Sequence, residues 1–140
     1  MVDHNFILLE LKNINKSFGS LHVLNGVSMT VEQGNVIAII GPSGSGKTTL
    51  LRCVNALEPV DSGEIIVENN PINPKSKDVH KLREKIGFIF QSFNLFTHLT
   101  ALENIVLAQR IVKKRSLEEA REKAFSLLRK VSLEGKANSY

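Results

Sequence analysis

The residues most able to do chemistry form one short run, Gly41-Pro42-Ser43-Gly44-Ser45-Gly46-Lys47-Thr48. It fits G-x-x-x-x-G-K-[ST], a loop that grips a chain of phosphates. Such a chain needs several N–H donors converging on one point. Only a closely wrapped backbone supplies them, and a Cβ in the wrong place blocks the wrap. Gly41, Gly44 and Gly46 remove that obstacle, with Pro42, Ser43 and Ser45 completing the loop. A helix starting near Thr48 turns its unpaired N–H groups and positive dipole end toward the anion. Lys47 adds a mobile point charge for the β- and γ-phosphates, and the Thr48 hydroxyl is a hard oxygen suited to Mg²⁺. Thr49 can offer a hydroxyl to the α-phosphate. Arg52, one turn on, reads as a solvated or surface-paired side chain.

Such a loop works only between a strand and a helix, and the flanking residues predict both. Val36–Ile40 is a continuous apolar run, as in a strand covered on both faces. Thr48–Leu57 has no breaker and reads as a helix. Upstream, Phe6–Ile14 ends in apolar/polar alternation, a strand with one wet face. Gly19 and Gly26 supply turns around Leu21–Leu24. Val27, Met29 and Val31 alternate with polar residues as another half-buried strand, and Gln33-Gly34-Asn35 turns the chain.

Downstream, Asp61-Ser62-Gly63 leads into a short strand, Glu64–Val67, then a loop over Asn69–Pro74. A short helix over Asp78–Lys85 precedes an apolar strand, Ile86–Phe90. Two helices close the chain, opened by Thr100 and Ser116 at capping-box spacing from Glu103 and Glu119. In the last helix Leu117, Ala120, Ala124, Leu127, Leu128 and Val131 share a face. Glu119 and Lys123 can pair on the other, and Gly135 fits a helix stop. Strand, loop, helix, strand, helix is an α/β pattern.

Composition narrows the class. The chain has 140 residues, 42% hydrophobic and 23% charged, with a formal charge of +4. That is an ordinary globular balance, and no run approaches bilayer-spanning length. The Met1–Asn5 start has no signal-peptide pattern. The single cysteine, Cys53, rules out an intramolecular disulfide and reads as a small buried side chain. The pI of 9.3 raises nucleic acid as a partner. The charges are mixed in sign, however, and Lys113-Lys114-Arg115 is followed by glutamates, so it reads as a solvated helix end. No nucleic-acid partner is expected. His4, His22, His80 and His98 have no metal-ligand spacing.

A phosphate loop is shared by several classes of ATPase and GTPase, and flanking residues separate them. Lys16-Ser17-Phe18-Gly19 lies upstream of a hairpin. Ile39 to Glu58 and Asp61-Ser62-Gly63 surround the loop. Gly87 to Asn104 includes Phe90-Gln91-Ser92-Phe93-Asn94-Leu95-Phe96-Thr97-His98-Leu99. In these stretches, over nearly its whole length, the chain resembles the ATP-binding cassette (ABC) ATPases, and most of all the subunits that energise bacterial polar amino-acid importers. The resemblance implies a P-loop ATPase core with an N-terminal antiparallel β subdomain over about 6–91, and the start of a helical subdomain over about 91–140. It places Phe18 where an aromatic stacks on adenine; the alternative is a core aromatic. Gln91 falls at the Q-loop glutamine, whose amide oxygen can hold Mg²⁺ or a water without changing charge. Phe93, Leu95 and Phe96 fall on the surface that meets the membrane subunit, while Leu99 reads as packing. Thr97 departs from the proline often found there.

The implied cofactors are ATP and Mg²⁺. The implied partners are transmembrane permease subunits, a second ATP-binding subunit in a head-to-tail dimer and, indirectly, a substrate-binding protein. The implied location is the cytoplasmic face of the inner membrane. No Leu-Ser-Gly-Gly signature occurs, no apolar strand ends in Asp-Glu, and no switch histidine is identified. The chain therefore reads as the N-terminal part of a longer cassette, with little ATPase activity and marginal stability of its own. The competing readings are an ABC protein of translation or DNA repair that moves no solute, and a non-catalytic nucleotide-binding module.

Overall fold

The computed structural model describes residues 6–140; His4 and the rest of the Met1–Asn5 start lie outside them. The chain forms two compact units, one ending at Phe88 and the other Ile89–Tyr140.

The first unit is an antiparallel sheet carrying a helix. Its strands are β1 (Ile7–Phe18), β2 (Leu21–Glu32), β3 (Ser62–Val67) and the two-residue β4 (Asn70–Pro71), in the order β2-β1-β3-β4. Strand β1 lies between β2 and β3, with Leu11 opposite Met29 on one side and Ile65 on the other. The register breaks between Leu11 and Ile14 on the β2 side. Asn13, with φ 50°, is the residue that bulges. A bulge resets which residues face inward, so Leu11 and Ile14 are both buried despite their odd spacing. Lys16, two residues beyond Ile14, follows it into the interior.

Two glycines make room for this bulge. A Cβ on Gly63 would lie 2.4 Å from the Asn13 carbonyl oxygen and 2.6 Å from that of Lys12. Gly26, expected as a turn, lies inside a continuous β2 with φ 64°. Its N–H donates to Asn15 Oδ1 at 2.8 Å.

Helix α1 (Lys47–Val54) places Leu50 and Cys53 in the core with Leu11, Ile14, Leu24 and Ile65. Helix α2 (Val79–Lys85) follows Asp78. Its Arg83 donates from Nε to the Asn55 carbonyl at 3.3 Å and from a terminal nitrogen to that of Ala56 at 2.7 Å. A cation is thereby set at the negative end of α1.

Two expected strands do not form. Val36–Ile40 joins no ladder, and Val36 and Ile40 are 96% and 92% exposed. Ile86–Phe90 likewise forms no strand. A run apolar on both faces becomes a central strand only when strands flank it, and the described sheet, β2-β1-β3-β4, includes neither run.

The second unit is a helical hairpin of α3 (Ala101–Ile111) and α4 (Leu117–Lys130), closed by a 3-10 turn at Glu134–Lys136 that holds Gly135. Both capping boxes form. Thr100 and Ser116 accept from the N–H of Glu103 and Glu119, whose carboxylates accept in return. Those bonds hold both glutamates below their ordinary pKa, the backbone N–H contributing most. Glu119 therefore serves the cap, and among the described residues it makes no ion pair with Lys123. Ala120, Ala124 and Leu128 pack on Leu102, Val106 and Ala137. Leu117 and Val131, expected on that face, stay exposed at its ends. Arg115 binds Gln109, while Lys113 and Lys114 are exposed.

Candidate functional site

The glycine loop leads straight into α1. Gly46 is the helix N-cap, in the left-handed region at φ 88°, and no side chain caps the helix. The first turn contains no acidic residue. Its N–H groups lack intrahelical partners by geometry and face an end that favours negative charge. Gly46 cannot be replaced cheaply. A Cβ there would lie 2.9 Å from the Val23 carbonyl oxygen and 3.1 Å from the Leu24 side chain. Close approach to strand β2 thus fixes where the helix begins.

Lys47 is the first residue of α1, and its side chain folds back over the loop. Nζ donates to the Gly41 carbonyl at 2.9 Å, to that of Pro42 at 2.7 Å and to Ser45 Oγ at 3.4 Å. The Ser45 N–H closes the loop onto the Pro42 carbonyl at 3.3 Å. Gly41, Pro42, Ser43 and Gly44 are exposed and reachable, with Gly44 at φ 80°. Thr48 is exposed and Thr49 half-buried. The Thr48 hydroxyl, in the first turn and without a hydrogen-bond partner among the described residues, suits a hard cation such as Mg²⁺. Arg52 is exposed, in the last turn of α1.

Strand β2 ties the loop to Phe18. Val23 and Leu24 crowd Gly46, and three residues pair across the same hairpin: Lys16 with Leu24, Ser17 with His22, and Phe18 with Leu21. Phe18 therefore stands at the tip of the hairpin whose next residues touch the loop. It is 49% exposed, so it is a surface aromatic and not a core one. His22 Nδ1 lies 2.9 Å from Ser17 Oγ.

Sequence reasoning quoted Lys16, Glu58 and Asp61 but gave them no role. Lys16 is only 7% exposed. Its Nζ lies 2.8 Å from Glu58 Oε1, 3.6 Å from Asp61 Oδ1 and 5.0 Å from the Phe18 ring centre. The hydrogen bond to Glu58 raises the lysine pKa above its ordinary value, against the cost of burial. Asp61 Oδ2 also accepts from the Ser17 N–H at 2.6 Å, and the Asp61 N–H donates to the Asn15 carbonyl at 2.9 Å. Spacing of two from Phe18, with acidic residues after α1, was the available signal. Cys53 is buried as expected, and that burial pushes its thiol up to about 11.

Gln91 belongs to the second unit and is exposed at a bend. Beside it Phe93 is 92% exposed, and Leu95 and Phe96 are exposed as well. They border a hollow of about 490 Å³ with Leu99, Ala101 and Tyr140. Leu99 is half-buried. Asn104 braces this segment. Its Oδ1 accepts from the Phe96 N–H at 2.9 Å, and its Nδ2 donates to the carbonyls of Phe96, Leu99 and Thr100 at 3.0–3.1 Å. Thr97 thus sits in a loop pinned on both sides without a proline.

Among the described residues, no helix is long and apolar enough to cross a membrane. The family model described as "ABC transporter" matches residues 24–140. A glutamine transport ATP-binding protein of Geobacillus stearothermophilus is 47% identical over 133 residues, covering 95% of this chain and 55% of its own. A glutamate/aspartate import ATP-binding protein of Escherichia coli shows the same identity and coverage. The chain thus spans about half the length of the curated relatives it matches. Among solved structures, the dimeric form of MJ0796, a bacterial ABC transporter cassette, superposes with a TM-score of 0.85 at 38% identity, covering 94% of this chain and 60% of that one. Fold, loop and likeness agree: this chain belongs to the ABC transporter family and carries part of its ATP-binding cassette.

Proposed function

We propose that the chain is the nucleotide-gripping portion of the ATP-binding subunit of an importer for polar amino acids. In the whole protein, ATP binding and hydrolysis would drive uptake across the bacterial inner membrane. The observation that carries this reading is the uncapped, acid-free start of α1, with Lys47 folded over the loop ahead of it. The loop amides from Gly41 to Gly46, with Ser43 and Ser45 hydroxyls beside them, bind the phosphates. Lys47 exchanges its carbonyl partners for phosphate oxygens, and Phe18 stacks on the base. Thr48 would hold Mg²⁺, which when bound neutralises charge on the terminal phosphates. Thr49 adds a hydroxyl to the inner phosphate. Gln91 orients water and, with Phe93, Leu95 and Phe96, faces the permease.

The solute class is taken from the relatives' transport names for glutamine and for glutamate/aspartate. Dimer formation is supported by the dimeric neighbour, and by analogy the protein works at the cytoplasmic face of the membrane. Titration calorimetry tests the core of this reading. The chain should bind Mg²⁺-ATP, and Lys47→Ala should weaken binding by more than about ten-fold, since it removes charge-assisted hydrogen bonds. Equal affinity in the two proteins would end the proposal. Because the sequence holds no Leu-Ser-Gly-Gly stretch and no Asp-Glu pair, the chain by itself should not turn ATP over. Multiple turnovers by pure chain, abolished by Lys47→Ala, would contradict that.

A further inference from the structure

Lys16 is an expensive residue to bury, because a lysine charge taken out of water loses its hydration unless a partner replaces it. The fold goes to some length to bury this one. The Asn13 bulge turns it inward, and Gly63 and Gly26 make room for the bulge. Glu58 and Asp61, both from the chain just beyond α1, then hold its ammonium. An ion pair needed only for stability has no reason to sit beside an exposed aromatic ring. This one does, with Nζ 5.0 Å from the centre of Phe18.

We propose that Lys16 is a positioning residue for the nucleotide base: its paired ammonium holds the Phe18 ring from one face and leaves the other face presented for stacking. The inference rests on the reading of Phe18 as the base platform. Two segments meet at this point. Strand β1 supplies Lys16 and Phe18 on one side of the strand, two residues apart. The segment after α1 supplies Glu58 and Asp61, so the ring is referenced to the helix that carries Lys47. Asp61 also takes the Ser17 N–H at 2.6 Å, fixing the backbone between the lysine and the ring. A cation over an aromatic face is attracted by the ring quadrupole. A ring already held loses less freedom when a base lands on it. Glu58 and Asp61 act through Lys16 and need not touch the nucleotide.

The test separates base from phosphate. Mg²⁺-ATP and Mg²⁺-tripolyphosphate are titrated calorimetrically into the chain and into Lys16→Met, Lys16→Arg, Phe18→Ala and the Lys16→Met/Phe18→Ala double variant. Lys16→Met should weaken ATP binding about three- to ten-fold and leave tripolyphosphate affinity unchanged. Unchanged tripolyphosphate affinity also shows that the variant is folded at the loop. Lys16→Arg, which keeps a cation over the ring, should restore the ATP preference. The double variant should be no worse than Phe18→Ala, because the lysine acts through the ring. Equal loss for both ligands in Lys16→Met and Lys16→Arg would make the lysine structural and overturn the proposal. So would a Lys16→Met variant that binds ATP normally. If the unmodified chain binds neither ligand, the phosphate-loop reading itself fails. If it binds both but Phe18→Ala changes nothing, the platform fails, and Lys16 falls with it.

Discussion

In the unit ending at Phe88, residues far apart in sequence must meet before any of them is secure. Leu11 needs Met29 and Ile65, and Lys16 needs Glu58 and Asp61. In Ile89–Tyr140 most bonds are local: each helix is started by a cap three residues away, and Asn104 ties down the loop just before it. The contrast separates two tasks. A phosphate grip requires donors from several segments to converge, so its scaffold is long-range and intolerant. The helical hairpin presents a surface, and short-range chemistry suffices. Long-range closure also carries the larger entropy cost, so the first unit should be the one that single changes break.

Gly63→Ala is the harshest test of that contrast. At φ 94°, with two backbone oxygens inside 2.7 Å of the new Cβ, it should cost more than about 3 kcal/mol. Because the buried Cys53 thiol is both shielded and held up to about 11, thiol labelling at pH 8 reads that opening. Slow labelling in the unaltered chain and fast labelling in the variant are expected. Equal rates would show that the bulge is not what holds the core.

Leu128→Ala comes next, at about 2–4 kcal/mol for a cavity between α3 and α4. Urea unfolding followed by helical ellipticity measures it, and a loss under 1 kcal/mol would mean the hairpin core repacks freely. Ser116→Ala should cost about 1 kcal/mol as a lost cap.

The mildest effect is acid weakening of both helices. Glu103 and Glu119 have lowered folded pKa values because backbone N–H groups of Thr100 and Ser116 donate to them. Their contribution is complete above the ordinary carboxylate value of 4.5 and fades as pH falls through the lowered folded values. Ser116→Ala should flatten that pH dependence in α4, and an unchanged acid profile would remove the capping boxes from the account.

What could be read from residues alone divides along the same line. The loop from Gly41 to Thr48 and the caps at Thr100 and Ser116 are local patterns, and their physics is complete within a few residues. Gly26 was misread because a glycine looks the same in a turn and in a strand that must clear Asn13. The burial of Lys16 depends on partners more than forty positions away, and its spacing from Phe18 does not by itself identify them. Val36–Ile40 was misread for another reason. Its composition describes the neighbours it is suited to, and none lies beside it among the described residues.

The hold of Lys47 on the Gly41 and Pro42 carbonyls bears on the thermodynamics of capture. On the proposed reading, arrival of an anion there would be a swap of ligands around one ammonium, not the quenching of a vacant charge. Much of the heat released by the new contacts is consumed in freeing the old ones. The lysine would then contribute discrimination between a triphosphate and weaker acceptors more than raw exothermicity.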